Sequence, residues 1–170
     1  MFFHEIVDQE VHVELIHKSY ERLLKWSSNY PNASLMLLAK NDKLAPQLCV
    51  PCHNNGEAEP YYLKLKELPN PLGLHMHIAQ RGQINSLSYE DQRDTIEKGI
   101  QYLERLGIHV KDFAPGWWSY NNDTVKACVD LGLPRFHSHA WFLIKNQVPA
   151  LDSVTVVLVN HNTHDFMLAS

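Results

Sequence analysis

At 170 residues the chain is long enough to bury one full core and lies within the range of a single domain. Its 45% hydrophobic and 20% charged residues are ordinary for a globular protein, and a net charge of -4 without a Lys/Arg cluster excludes a phosphate-binding stripe for nucleic acid. No run is long enough to span a bilayer, and Glu5 interrupts the amino terminus before a secretory apolar region forms. The expectation is therefore one domain over 1–170, cytoplasmic, with no membrane span and no nucleic-acid partner.

In chain order, residues 1–7 begin as a short apolar strand. Ile16, Tyr20, Leu23 and Leu24 recur at helical spacing, which predicts an amphipathic helix over 12–27. Residues 34–39 and 48–50 read as buried strands, and 58–68 as a short helix. Cys49 and Cys52 have redox-motif spacing, but Asn54-Asn55-Gly56 follows as turn chemistry where a redox site needs a helix. With Cys128 they read as buried reduced thiols, because no second pair completes a zinc knuckle or a disulfide framework.

Leu72-Gly73-Leu74-His75-Met76-His77 reads as a buried strand ending in two histidines on one face, since side chains at i and i+2 of a strand share a face. Neutral imidazole is the commonest protein ligand for zinc, and sites in α/β proteins cluster beyond the carboxyl ends of strands. Ser88 and Asp91 then form a capping box for a helix with Ile96, Ile100, Leu103 and Leu106 on one face, stopping at Gly107. A strand over 109–113 leads into a Pro115-Gly116-Trp117-Trp118 turn. Asn121 or Asn122 caps a helix carrying Val125, Cys128 and Val129, which stops at Gly132. Strands follow at 135–136, 141–144 and 154–159, with Trp141 and Phe142 assigned to the core.

This alternation predicts a mainly parallel sheet or barrel with helices outside. His4 and Glu5, His75 and His77, the Trp117 turn, His137 and His139, and His161, His164 and Asp165 all fall at strand ends. Five elements thereby bring titratable or aromatic groups towards one rim. One of the two adjacent tryptophans belongs to the core. The other, on the turn, either offers a flat apolar face suited to a sugar ring or, like its neighbour, serves the structure alone.

The order of these motifs resembles the polysaccharide deacetylase family with the NodB homology fold, and within it the branch whose first motif reads His-Asp. Phe3-His4-Glu5-Ile6, the Pro51 to Gly56 turn, Gly73-Leu74-His75-Met76-His77, Phe113-Ala114-Pro115-Gly116-Trp117 and Val157-Leu158-Val159-Asn160-His161 with His164 carry the resemblance along nearly the whole chain. It implies a deformed (β/α) barrel of seven strands, a divalent metal and hydrolysis of acetamido groups on sugars. Several positions depart from the pattern. Glu5 stands where the family has its metal-binding Asp, His4 where it has its base, Ala79 at the usual second histidine ligand and Ala114 at the third-motif Arg.

The expected site accordingly has Glu5, His75 and His77 as ligands of one zinc ion with an open position for water, which the metal would activate. His4 is the candidate base, His164 or His161 the candidate acid, and Trp117 and Pro115 the substrate-binding pair. The expected function is a metal-dependent hydrolase that removes an acyl group from an N-acylated sugar or polysaccharide precursor. The alternative is a deacetylase-fold protein without catalysis that binds carbohydrate or acts as a scaffold.

Overall fold

Apolar strands and one-sided helices can bury both kinds of apolar face at once by stacking helices on a parallel sheet. In the computed structural model, which describes residues 3–4, 28, 35–38, 62–64, 66–76 and 83–158, the chain adopts this solution. The described strands are β1 (Phe3–His4), β2 (Leu35–Leu38), β3 (Leu72–Met76), β4 (Asp112–Pro115), β5 (Arg135–Ser138) and β6 (Thr155–Leu158). They form a six-stranded sheet in the order β1-β2-β3-β4-β5-β6, with every neighbouring pair parallel.

Chain order and spatial order coincide, so no strand order reverses. Parallel crossovers are right-handed in nearly all proteins, which in an unreversed sheet places the β3–β4 and β4–β5 helices on the same face. Helix α1 (Tyr89–Arg105) joins β3 to β4, and helix α2 (Asn122–Asp130) joins β4 to β5. A hydrogen bond from the Tyr89 hydroxyl to the Asp130 carboxylate ties the two helices together and holds the Tyr89 phenol above its ordinary pKa.

The close approach at Gly99 fixes the orientation of β3. A Cβ there would lie 2.9 Å from Met76 Sδ and 3.1 Å from Leu74 Cδ1, so Leu74 and Met76 face α1. The register row of Leu74, Phe113, Phe136 and Val156 continues this face across the sheet. Leu74, Phe113 and Phe136 pack with Ile96, Leu103, Val125, Cys128 and Leu133 in one core between sheet and helices. Cys128 is a buried free thiol, and burial pushes its pKa well up.

By alternation, His75 then points to the face without these helices. It is nevertheless only 1% exposed, and Asp112 and His137 are completely buried. Both faces of the sheet are therefore covered at β3 to β5, which places polar groups in an interior.

Local signals set the helix ends. Ser88 caps α1 by accepting from Asp91 N–H at 3.2 Å while its hydroxyl donates to the Asp91 carboxylate at 3.0 Å. The helix ends before Gly107, whose φ of +69° suits the left-handed turn, and Lys66 Nζ donates to the orphan carbonyl of Leu106 at 3.0 Å. Asn121, of the two candidates, caps α2 in a reciprocal box with Thr124. Gly132, at φ +73°, follows its end.

Several expectations are corrected. Residues 141–144 belong to helix α3 (Ala140–Asn146), where His139 accepts from Trp141 N–H. Trp141 is not core but 56% exposed, while Phe142 is half-buried. The fourth strand lies three residues later at its start than the 109–113 span, and it ends on Pro115, a position that proline tolerates at a strand terminus. The fifth strand extends past Phe136 to Ser138, which places His137 inside it. Of the 58–68 helix, 62–64 are helical and 66–70 form turns and bends. The 12–27 helix, the 48–50 strand, Cys49 and Cys52 lie outside the described residues.

Candidate functional site

His75 is the penultimate residue of β3, near the carboxyl edge of the sheet. Its Nδ1 lies 2.9 Å from the Ala114 carbonyl of the adjacent strand. A carbonyl can only accept, so Nδ1 carries a proton, and in a neutral ring the basic nitrogen would be Nε2. A ring nitrogen committed to a backbone carbonyl is how metal-binding histidines are commonly oriented.

Across the adjoining strands β4 and β5 lies a second polar cluster on the same side. The Asp112 carboxylate at the start of β4 accepts from His137 Nε2 at 2.7 Å and from the Arg135 guanidinium at 2.5 Å. Arg135 and His137 are i and i+2 on β5, so both side chains share the face towards Asp112. Burying a carboxylate is costly without compensating donors, and two cationic or N–H donors here meet that demand. The buried Asp112–His137 pair is the feature that reading the sequence missed. Its trace was an acidic residue inside the apolar run from Val110 to Ala114, together with the Arg135-x-His137 alternation.

Beyond β4 the chain turns sharply. Pro115 is buried as the last strand residue, and Gly116–Trp118 forms a single 3-10 turn. Trp117 and Trp118 adopt φ of 54° and 52°, left-handed values that bulky residues rarely take. Each such residue costs on the order of 1–3 kcal/mol, and strain of this size concentrates at ligand-binding sites. Trp118 packs against Phe142 and His139, both at 6.4 Å between ring centroids. Trp117 is 67% exposed, presenting an indole face beside the carboxyl ends of β4 and β5.

A polar network holds this turn in place. The Ser119 hydroxyl lies 2.8 Å from both Gln83 Oε1 and Asn85 Oδ1, and Asn121 Nδ2 donates to the Asn85 carbonyl at 3.1 Å. The segment leading into α1 is thereby fastened to the segment leading into α2. If the strained turn is carried for binding, Trp117→Gly should leave stability unchanged or raise it by up to about 1 kcal/mol, since glycine relieves the strain but costs chain entropy. Urea denaturation measures this. A loss above about 1 kcal/mol would mean the indole supports the fold.

Of the expected site residues, the structure brings His75, Pro115 and Trp117 to neighbouring strand ends. His4 lies in β1, in register with Met36, which in turn pairs with Gly73, two residues before His75. Glu5, His77, His161, His164 and Asp165 lie outside the described residues, as does Ala79. Among the described residues, no group of three or more His, Cys, Asp or Glu is placed to hold a metal ion. Within the same residues, no helix is long and apolar enough to cross a membrane.

No protein-family model and no curated protein sequence matches the chain. Solved structures do. A deacetylase from Streptococcus pyogenes, solved in complex with acetate, superposes with a TM-score of 0.58 at 12% identity, covering 98% of this chain and 67% of its own. A CE4 family pseudoenzyme from Bacillus anthracis superposes at 0.57 with 15% identity, covering 99% of this chain and 59% of its own. A 4-alpha-glucanotransferase from Thermococcus litoralis gives 0.54 at 15% identity over 81% of this chain, which spans only 22% of that protein. At these identities the likeness is one of fold.

Proposed function

We propose that this chain, carrying a deacetylase-like fold, is a metal-dependent hydrolase that removes an acetyl group from an N-acetylated sugar. The observation that carries the reading is His75, buried near the carboxyl end of β3 with its Nδ1 2.9 Å from the Ala114 carbonyl, the kind of backbone contact that commonly orients a metal-binding imidazole. Glu5 and His77 join it as ligands in this proposal, and the completed barrel has the seven strands that the resemblance implies. Zinc fits a set of two imidazoles and one carboxylate. Bound there, the metal lowers the pKa of water and polarises the amide carbonyl.

The chain's own residues do the rest. Trp117 offers an exposed indole face for the sugar ring, and the buried Pro115 fixes the strand end from which that turn departs. His4 accepts the proton of the attacking water, and His164, with His161 as its competitor, protonates the departing amine. General acid catalysis contributes roughly a hundred- to ten-thousand-fold in rate. His164→Ala should lower turnover within that range while leaving metal bound, and His161→Ala should do less. Acetate release from a panel of N-acetyl sugars is the assay; equal losses in the two variants would undo the assignment of the acid.

One observation favours a second reading, in which the chain binds carbohydrate without hydrolysing it. Ala114 occupies the position where the resemblance places an Arg, and one neighbour in fold is a pseudoenzyme. Saccharide binding that Trp117→Ala abolishes, with no acetate released from any sugar tested, would establish that reading instead.

A further inference from the structure

We propose that Ser119 is a positioning residue for the sugar platform: its hydroxyl, gripping the Gln83 and Asn85 side chains, holds the Trp117 indole where a saccharide ring can stack on it. The inference rests on the reading of Trp117 as that platform and adds the group that keeps it in place.

Two consecutive tryptophans at positive φ need an outside restraint, because a strained conformation persists only where its surroundings over-determine it. Trp117 does not supply it by burial, being 67% exposed. The two ends of the turn do. Upstream, Pro115 is buried in β4, in register with Met76. Downstream, Ser119 is 6% exposed, and its N–H donates to the Gly116 carbonyl at 3.1 Å, closing the turn. Tyr120 follows, buried and edge-on to Phe136 at 5.0 Å between ring centroids. Trp118 adds its packing against Phe142 and His139.

Among these restraints, the Ser119 hydroxyl ties the turn to a different connection. Its oxygen lies 2.8 Å from both Gln83 Oε1 and Asn85 Oδ1. A hydroxyl has one proton and two lone pairs, so it donates to one amide and, with the other amide turned end for end, accepts from that one. Both amides belong to the segment between β3 and α1, which departs from the strand end where His75 lies. Ser119 therefore sets the Trp117 turn against the neighbouring connection at the edge where the site is proposed. A serine present only to cap α2 would accept from the helix's backbone N–H groups, and Asn121 already does that. Without the hydroxyl the turn can relax, and the strain released offsets the bond lost. The loss then falls on the position of the indole rather than on stability.

The experiment uses the full chain, with the trimer of N-acetylglucosamine as probe. Heteronuclear relaxation of the tryptophan indole N–H groups, assigned with Trp117→Phe, reads how firmly each ring is held. Ser119→Ala should lower the order parameter of the Trp117 indole, while that of Trp141, also exposed but on α3, stays as in the parent. Affinity for the trimer should fall about three- to tenfold, the equivalent of one hydrogen bond, with the unfolding midpoint close to the parent's. Gln83→Ala combined with Asn85→Ala removes both partners at exposed and half-buried positions and keeps the Asn85 carbonyl that Asn121 uses. This pair should reproduce both effects and tests the same grip if Ser119→Ala does not fold. An unchanged Trp117 order parameter in the folded variants overturns the proposal, as does parent-like affinity for the trimer. Equal loosening of all the indoles with a matching loss of stability overturns it too, since the hydroxyl would then serve the fold alone. A parent protein that does not bind the trimer overturns this proposal together with the reading of Trp117 beneath it.

Discussion

Replacing His75 by Asn should abolish zinc binding while the protein stays folded. The asparagine amide can donate to the Ala114 carbonyl as Nδ1 does now, so the buried acceptor keeps its partner and only the basic ring nitrogen is lost. The fall in affinity should exceed the roughly 10–100-fold typical of losing an outer partner. Alanine would be a poorer choice. His75 is 1% exposed, and truncation would open a cavity and orphan a carbonyl, confounding stability with binding. Zinc affinity by chelator competition, beside thermal unfolding of the metal-free protein, separates the two effects. Undiminished affinity in a folded variant would remove His75 from the site. Since ligand histidines must be neutral, the parent's zinc binding should also weaken on acidification.

Asp112→Ala should destabilise the fold by roughly 3 kcal/mol. Removing one partner of a buried charge pair costs about 3–5 kcal/mol, because the remaining charge loses its compensation. The lower figure applies here because the Arg135 side chain is 38% exposed and can regain water, whereas His137 is completely buried and cannot. Urea denaturation of the metal-free variant checks the figure. A loss below about 1 kcal/mol would mean that the carboxylate contributes little to joining β4 and β5.

Locally encoded features of the fold were legible in the sequence. Ser88, Gly107, Asn121 and Gly132 act through hydrogen bonds and backbone conformation within a few residues, so their positions alone mark the ends of α1 and α2. His75 and its strand were legible because a short apolar run there ends in histidines. Residues 141–144 were not. Trp141, Phe142, Leu143 and Ile144 form a bulky run without alternation, and the helix they adopt starts at a histidine cap that propensity does not anticipate. The exposed side of that helix carries Trp141 and Ile144, and apolar content alone points such residues inward.

The Asp112–His137 bond was invisible for a different reason. It joins residues 25 apart in the chain, through a register that only the assembled sheet defines. Neither partner belongs to a motif, and each has a bland meaning alone. The strained Trp117 lies between these cases. The turn was legible from Pro115-Gly116, but consecutive tryptophans at positive φ contradict every local preference, as expected where function overrides propensity.

The central claim is that the buried imidazole of His75 holds a divalent metal. An anomalous-scattering map from crystals of the full chain grown with zinc, recorded on both sides of the zinc edge, tests it most directly. The account predicts one strong peak about 2.0–2.1 Å from His75 Nε2, on the face of β3 turned away from α1. A map without a peak near His75, from protein whose zinc occupies other sites or none, would contradict it.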